Sequence, residues 1–437
     1  MGKSKKYAKI TMITLDYSNL FKVKNPQITE ANFKGTEEKL SPYLELIKTR
    51  NQGFYDIVNE DVSEVLEYAA SLKGQFDDII VLGIGGSSLG NICLKDTLAH
   101  PYGKDAPRLC VLDNVDPYMI EKLDDIINYD RALFITISKS GDTPEPVAEY
   151  LYFRKKTDDK ELDPKKHHVF ITGPHTSFLH DVGVREGIKM FPVPENVGGR
   201  FSVLTNVGLL PAALIGIDIQ ELLRGGKEFA AKFLSENFDE NISFQFATIQ
   251  YLLNQNGVNI NIMMPYTNRL RTFADWYSQL LAESIGKATA RDGSIVNTGI
   301  TPVAALGTVD QHSQVQLYNE GPRDKMIIFL EVENHESKIE IPHVSEDHEK
   351  TDFLKGITFE NLINTELHAT QDAVTKYEKA NVTFKLDKID AYNLGALFLI
   401  FEGATAFLGE FYGIDAFNQP GVELGKVLTR QYLIEKK

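Results

Sequence analysis

The chain has 437 residues, with 46 Lys or Arg against 61 Asp or Glu, so its formal net charge is −15. At about 150 residues per domain this length suggests two or three domains, and 43% hydrophobic with 24% charged residues is typical of a folded chain rather than a disordered one. The negative balance argues against broad binding of nucleic acid or of an anionic membrane surface, since both need a positive field. Any anion site must therefore be built locally, against the net charge.

The sequence predicts a cytoplasmic protein that does not enter the membrane. Only two cysteines occur, too few for a disulfide framework, which favours a reducing compartment. The basic segment Met1–Lys6 is not followed by the apolar stretch of a secretory signal. The longest apolar stretch, Ala391–Gly413, carries Glu402 and Glu410, which the hydrocarbon core would penalise by a few kcal/mol each. We therefore predict a buried helix there.

In chain order, an irregular and partly helical extension over residues 1–60 precedes a regular alternation of short apolar runs and helical patterns. The first set of predicted strands is Ile79–Leu82, Leu109–Leu112, Leu133–Ile137, Val169–Thr172 and Met190–Val193. A helix-rich stretch then leads to a weaker set at Val258–Met264, Met326–Val332 and Val382–Leu386. This rhythm predicts an α/β fold with two parallel sheets wound by helices. We expect domains at residues 61–212 and 213–437.

A glycine-rich segment, Val81–Gly90, directly follows the first predicted strand. Glycines allow a sharp turn and close approach to a ligand, and the following helix N-terminus offers free N–H groups to an anion. Gly86 and Ser87 are the candidates. The dinucleotide-binding pattern Gly-x-Gly-x-x-Gly fails because Ser88 stands at its third glycine. A tight turn without a ligand remains the alternative.

A second candidate segment, Ser138–Pro146, follows the third predicted strand. Its hydroxyl and ammonium groups belong to Ser138, Lys139, Ser140 and Thr143. Ligands bind at the carboxyl ends of strands in open parallel sheets, so the two loops together predict a phosphate pocket. An ordinary capped helix start is the alternative.

Arg200, in Gly198–Ser202, suits bidentate recognition of an anion or enolate, although a surface turn is the commoner explanation of such a motif. Gln279 and Glu283 are four residues apart and share one face of a predicted helix. Glu283 is a candidate base, and a solvated side chain is its alternative.

His312 and Lys426 are the remaining candidates, with a structural histidine and a surface lysine as the alternatives. The histidines show no spaced ligand set such as His-Glu-x-x-His, so we predict no metal site.

Taken together, these residues resemble the phosphoglucose (glucose-6-phosphate) isomerase family over roughly residues 80 to 430. The most specific stretches are Glu195–Ser202 and Phe417–Lys426, each similar to a family signature, and Ser-Lys-Ser-Gly at 138–141 resembles the bacterial branch. The resemblance implies two sugar isomerase (SIS) domains, each a parallel β-sheet flanked by helices in three layers. It also implies a cytoplasmic homodimer that interconverts glucose 6-phosphate and fructose 6-phosphate without a cofactor.

The resemblance implies roles for the candidate residues. The 6-phosphate would be held by Ser87, Ser138, Lys139, Ser140 and Thr143, with Gly86 lining the pocket and Gln279 and Gln419 holding sugar hydroxyls. Glu283 would move a proton between C2 and C1 through a cis-enediol, and Arg200 would stabilise the enediolate. His312, contributed by the neighbouring subunit, would open the ring together with Lys426.

One residue departs from the family pattern, because Asp142 stands where the second loop usually carries a threonine. We expect its carboxylate to point away from the phosphate. Three other functions remain open: an isomerase that also accepts mannose 6-phosphate, a non-enzymatic SIS-type sugar-phosphate regulator, and a nicotinamide-dependent dehydrogenase, against which Ser88 counts.

Overall fold

The structure, a computed structural model, describes residues 13–25, 28–103, 107–344 and 349–436. The basic segment Met1–Lys6 lies outside them. The elements of the first half are β1 (Thr14–Asp16), α1 (Glu30–Lys34), α2 (Leu40–Thr49), α3 (Ser63–Ser71), β2 (Asp78–Leu82), α4 (Leu89–Leu98), β3 (Arg108–Leu112), α5 (Pro117–Asp124), β4 (Ala132–Ser138), α6 (Pro144–Asp159), α7 (Pro164–His167), β5 (His168–Thr172), α8 (Phe178–Glu186), β6 (Lys189–Pro192) and α9 (Asn206–Leu214).

Only a short connection separates α9 from the first helix of the second half. The second half comprises α10 (Ile219–Phe233), α11 (Ile242–Gln255), β7 (Ile260–Pro265), α12 (Arg271–Ile285), β8 (Lys287–Thr289), β9 (Ile295–Thr298), β10 (Thr301–Ala304), α13 (Val315–Glu320), β11 (Lys325–Val332), α14 (Phe359–Lys376), β12 (Ala380–Leu386), α15 (Ala391–Phe411) and α16 (Glu423–Glu435).

The first sheet has the order β3-β2-β4-β5-β6, and every neighbouring pair is parallel. β2, β4 and β5 are buried along their whole length, as expected for strands covered on both faces. All five predicted strands are present, and none of their ends is shifted by more than one residue. The carboxyl ends of β2 and β4 lie side by side, so the two candidate loops leave the sheet next to each other.

The second sheet has the order β1-β12-β11-β7-β10. Its four strands from the second half run parallel, whereas β1 pairs antiparallel with β12. The three predicted strands are confirmed, and the sequence patterns missed β1, β10 and the small β8–β9 hairpin. The N-terminal extension thus supplies an edge strand to the second sheet. The parallel, helix-flanked sheets confirm the expected fold class.

α15 forms the centre of the largest hydrophobic cluster, which runs from residues of the first sheet to residues of the second. It is long and apolar enough to cross a membrane, yet it is buried within the fold over its most apolar window. The prediction of a buried helix is confirmed. α9 spans the predicted boundary between residues 212 and 213, so a division into two units belongs at one of the ends of this helix; the two-domain division itself stays a prediction.

Candidate active site

Arg200 lies at the centre of the site and is only 3% exposed. It belongs to a short 3-10 helix, Gly199–Phe201, in the loop between β6 and α9. Its Nε donates to Ser284 Oγ at 2.6 Å, and its Nη2 donates to two main-chain oxygens, Ala416 O at 2.6 Å and Asn418 O at 3.2 Å. Burial lowers the pKa of this guanidinium, and the neighbouring carboxylate of Glu283 opposes that shift. Arg200 therefore connects both halves of the fold and is not part of a surface turn.

Glu283 and Gln419 complete the hydrogen bonds of this guanidinium. Arg200 Nη1 donates to Glu283 Oε2 at 3.0 Å and to Gln419 Oε1 at 3.1 Å. The Glu283 side chain is 34% exposed, against 2% for the arginine. The carboxylate is thus held by a buried cation on one side and open on the other, so a ligand can come within hydrogen-bond reach of it, as a general base requires.

Gln279 lies one helical turn before Glu283 on α12, as the spacing predicts. Its Nε2 faces the glycine loop, where a Cβ on Gly85 would come within 2.9 Å of it. Its Oε1 is buried without a hydrogen-bond partner among the described residues. This oxygen is suited to accept a hydrogen bond from a ligand hydroxyl.

The glycine loop packs directly against the arginine segment. A Cβ on Gly86 would lie 2.2 Å from Gly199 O and 2.8 Å from Arg200 N, so no other residue fits there without a shift of the main chain. Ser87 closes the short 3-10 helix Gly85–Ser87 ahead of α4. The glycine loop that follows β2 therefore packs closely against the main chain of the segment that carries Arg200.

Three hydroxyls cluster in the loop between β4 and α6. The Oγ1 of Thr143 lies 2.7 Å from Ser138 Oγ and 3.2 Å from Ser140 Oγ, and the two serine oxygens are 3.4 Å apart. Gly141 has a φ of +72°, which bends the loop, and its N–H donates to Ser138 Oγ. Thr143 is the N-cap of α6, and its side chain makes no capping bond to that helix. Its hydroxyl is thus turned toward the serines.

Lys139 and Asp142 have other partners. Lys139 Nζ donates to Glu195 O at 2.8 Å and to Val197 O at 2.7 Å, so the ammonium supports the segment leading to Arg200. Burial lowers the pKa of this ammonium. Asp142 Oδ1 accepts from Phe178 N, the first residue of α8, at 2.8 Å. The carboxylate of Asp142 is thus turned toward α8, and the expectation that it points away from the phosphate stays a prediction.

His312 and Lys426 do not join this cluster within one chain. His312 is exposed after the 3-10 helix Val309–Gln311, and Lys426 on α16 pairs with Glu423 at 2.7 Å. Across the described ranges, neither side chain bonds to Arg200 or Glu283. Their roles stay predictions.

Two residues beside Glu283 were missed by the sequence reasoning. Ser284 accepts the Nε bond of Arg200, and Lys287 Nζ donates to the main-chain oxygen of Glu283 at 2.6 Å. A lysine directly after the helix-ending Gly286 was the available signal, since cations favour helix C-termini.

Among the residues that the structure describes, no group of three or more His, Cys, Asp or Glu side chains is arranged to hold a metal.

Comparison with known proteins gives a consistent result. A model of the phosphoglucose isomerase family matches residues 60–437. The glucose-6-phosphate isomerase of Carboxydothermus hydrogenoformans is 39% identical, with 95% of this chain and 94% of that protein covered. The enzyme of the same name from Rubrobacter xylanophilus is 37% identical, with 95% and 97% covered.

Solved structures are similar over nearly the whole chain. A hypothetical protein from Thermus thermophilus superposes with a TM-score of 0.89 at 33% identity, covering 97% of this chain and all of that one. A glucose-6-phosphate isomerase from Chlamydia trachomatis has the same fold, with a TM-score of 0.82 at 21% identity and with 96% and 88% covered. From the match to the family model and these relatives, we conclude that the chain belongs to the phosphoglucose isomerase family.

Proposed function

We propose that the cluster around Arg200 catalyses the reversible isomerisation of glucose 6-phosphate and fructose 6-phosphate. The single observation that carries this proposal is the Arg200–Glu283 pair: a half-open carboxylate held at 3.0 Å by a buried guanidinium. Membership of the phosphoglucose isomerase family supports the choice of substrates. The adjoining hydroxyl cluster of Ser138, Ser140 and Thr143 supports a phosphate group as the anchor.

The chemistry needs one base and one fixed cation. Glu283 takes the proton from C2 of the opened aldose and returns it to C1, on the same face of a cis-enediol. Negative charge develops on the enediolate oxygen during this transfer, and the guanidinium of Arg200 is fixed beside the base to stabilise it. Gln279 Oε1 and Gln419 would orient the sugar hydroxyls. No step requires a redox partner, because the electron pair stays within the sugar.

The proposal includes a homodimer in which His312 serves the neighbouring subunit. His312 is exposed and, in the described part of its own chain, makes no bond to Glu283. α16, which carries Lys426, has no buried residue, and the exposed apolar side chains on one of its faces include Leu424, Val427 and Ile434. Covering this apolar face with a second copy would also bring the ring-opening pair, His312 and Lys426, to one site.

The proposed location is the cytoplasm. Both cysteines, Cys93 and Cys110, are unpaired, in keeping with a reducing compartment. We propose no nucleic-acid or membrane partner, and no metal or nicotinamide.

Purified protein with fructose 6-phosphate and EDTA, without added nicotinamide, tests the activity. We expect glucose 6-phosphate to accumulate to an equilibrium mixture. Binding without conversion would instead identify a sugar-phosphate regulator. Mannose 6-phosphate in the same assay distinguishes a single from a dual specificity.

A further inference from the structure

Lys287 is a buried lysine that the proposed mechanism does not use. It is the first residue of β8, two positions after the end of α12, and is 7% exposed. Its Nζ donates to Glu283 O at 2.6 Å and to Ser284 O at 2.9 Å. These are the main-chain oxygens of the proposed base and of the serine that accepts from Arg200. A single ammonium thus hydrogen-bonds to the main chain of both Glu283 and Ser284, which contact Arg200.

The end of α12 explains why these oxygens need a donor. Gly286 N donates to Ala282 O and the chain then leaves the helix, so the next carbonyls lack a following helical N–H. Within the described residues, the Lys287 ammonium donates to both of these carbonyl oxygens, Glu283 O and Ser284 O. A positive charge at this point is also favoured by the helix dipole.

The surroundings of Lys287 make the charged form of its side chain energetically unfavourable. Burial lowers the pKa of Lys287 to about 8, and the positive charge of Arg200 acts in the same direction. Asp415, in the segment after α15, and Glu283 oppose this shift. Desolvating a second cation next to a buried guanidinium is unfavourable, and a role at the site accounts for a lysine at this position.

We propose that Lys287 is a positioning residue for the isomerisation: its ammonium fixes the main chain of Glu283 and adds positive charge beside Arg200. This proposal rests on the assignment of Glu283 as the base. The charge strengthens the field that stabilises the enediolate, and the two hydrogen bonds keep the carboxylate where the proton is transferred. A small displacement of such a group costs a large factor in rate.

Lys287→Met removes both the donor and the charge. We expect kcat at pH 7 to fall by about tenfold or more, with KM changed by less than about threefold. Lys379→Met is the matched control. Lys379 is 2% exposed and its Nζ donates to a main-chain oxygen, Gly321 O at 2.6 Å, but it lies directly before β12, outside the site. The control should keep the wild-type kcat, and thermal denaturation of both variants reports on folding.

Lys287→Arg separates the charge from a merely structural role, and the cavity of about 570 Å³ that Lys287 lines gives the longer side chain room. The wild-type ammonium is present below pH 8 and is lost as the pH rises through about 8. We therefore expect wild-type kcat to decline across that range, and Lys287→Arg to be active with the decline moved to higher pH.

Two results overturn the proposal: a folded Lys287→Met with kcat within twofold of wild type, or superimposable kcat–pH profiles of Lys287→Arg and wild type. The comparison of the Lys287→Arg and wild-type pH profiles tests the proposal even if Lys287→Met does not fold. Near-normal turnover in Glu283→Gln is a separate failure, because it removes the base assignment whatever the Lys287 variants do.

Discussion

Arg200 and Glu283 are joined at 3.0 Å between Nη1 and Oε2, yet they face opposite environments. All five N–H groups of the guanidinium point at protein oxygens, which belong to Ser284, Glu283, Gln419, Ala416 and Asn418. The carboxylate keeps about a third of its surface open. The cation is therefore fixed before any ligand arrives, while the base remains reachable.

The first prediction concerns the base. Glu283→Gln keeps the shape and the acceptor oxygen for Arg200 but cannot take a proton, so kcat should fall by about 10²- to 10⁴-fold. Glu283→Asp keeps the carboxylate at a shorter reach and should retain more activity. Steady-state kinetics with fructose 6-phosphate measure both. The control is Glu221→Gln, in an exposed carboxylate paired with Arg224; equal losses in the two Gln variants would contradict the assignment.

The second prediction concerns the guanidinium. Arg200→Lys keeps a positive charge but presents its N–H groups from one point, so the oxygens of Ala416 and Asn418 lose a donor. We expect kcat/KM to fall by about 10²-fold or more, together with a lower Tm, because buried acceptors are left unpaired. Kinetics and thermal denaturation on the same preparation check this. A variant with wild-type Tm and wild-type kcat/KM would show that the charge alone suffices.

The third prediction concerns the phosphate anchor. Thr143→Val removes one of three clustered hydroxyls, and we expect KM for fructose 6-phosphate to rise by about tenfold with little change in kcat, since a phosphate contact exists in the ground state and the transition state alike. Competitive inhibition by inorganic phosphate should weaken in parallel. Thr29→Val is the control, because Thr29 is likewise the N-cap residue of a helix, α1, away from the site, and unlike Thr143 its side chain does accept a capping bond. An unchanged KM would place the phosphate elsewhere.

The fourth prediction concerns Glu402 on α15. Its side chain is fully buried, and both carboxylate oxygens lack a hydrogen-bond partner among the described residues. Burial raises its pKa well above the ordinary value of 4.5. The folded state therefore keeps a proton that the unfolded chain releases, and this contribution to stability is lost as the pH rises above about 4.5.

Glu402→Gln should remove that dependence. Relative to wild type, the variant should gain stability as the pH rises above about 4.5, with a limiting slope of about 1.4 kcal/mol per pH unit between the pKa of the unfolded chain and the raised pKa of the folded state. Thermal denaturation at several pH values measures it. Glu410→Gln, in the same helix, is the control: its carboxylate pairs with Arg50 and Arg291, so that variant should lose Tm across the range. Parallel pH curves for Glu402→Gln and wild type would refute the prediction.

The fifth prediction concerns sharing of sites between subunits. His312→Ala and Glu283→Gln should each be nearly inactive alone. After the two are unfolded and refolded together, or co-expressed, about half of the dimers are mixed, and each mixed dimer holds one intact site. We expect about a quarter of the wild-type activity to return. Recovery of nothing above the separate variants, with mixed dimers present, would mean that His312 acts within its own chain or not at all.

The sequence predicted best where local pattern and burial agree. β2, β4 and β5 are continuous apolar runs, and such runs are typical of strands covered on both faces. β1 and β10 were missed for the opposite reason. β1 has three residues and β10 has four, with Pro302 inside, so neither shows a period long enough to identify, and both are strands only because a neighbour pairs with them.

In the candidate site, too, features that depend on local sequence could be predicted, and features that depend on distant residues could not. Gln279 and Glu283 could be placed on one helix face because their spacing is local. The arrangement of Arg200 could not, because its partners lie 83 to 219 positions away in the chain. Lys139 lies in the loop that the sequence predicts, but its bonds to the main-chain oxygens of Glu195 and Val197 could not be predicted, because these residues lie 56 and 58 positions away.

The antiparallel edge strand β1 has a consequence for synthesis of the protein. Thr14 pairs with Lys385, so β1 leaves the ribosome 371 residues ahead of the segment with which it pairs. At translation rates of about 5–20 residues per second, that interval is roughly 20 to 70 s. Until then the second sheet lacks β12 as well as its outer edge, and a chain that stops short of β12 leaves β11 with an open side. Such products are candidates for strand-to-strand aggregation and for clearance by quality control.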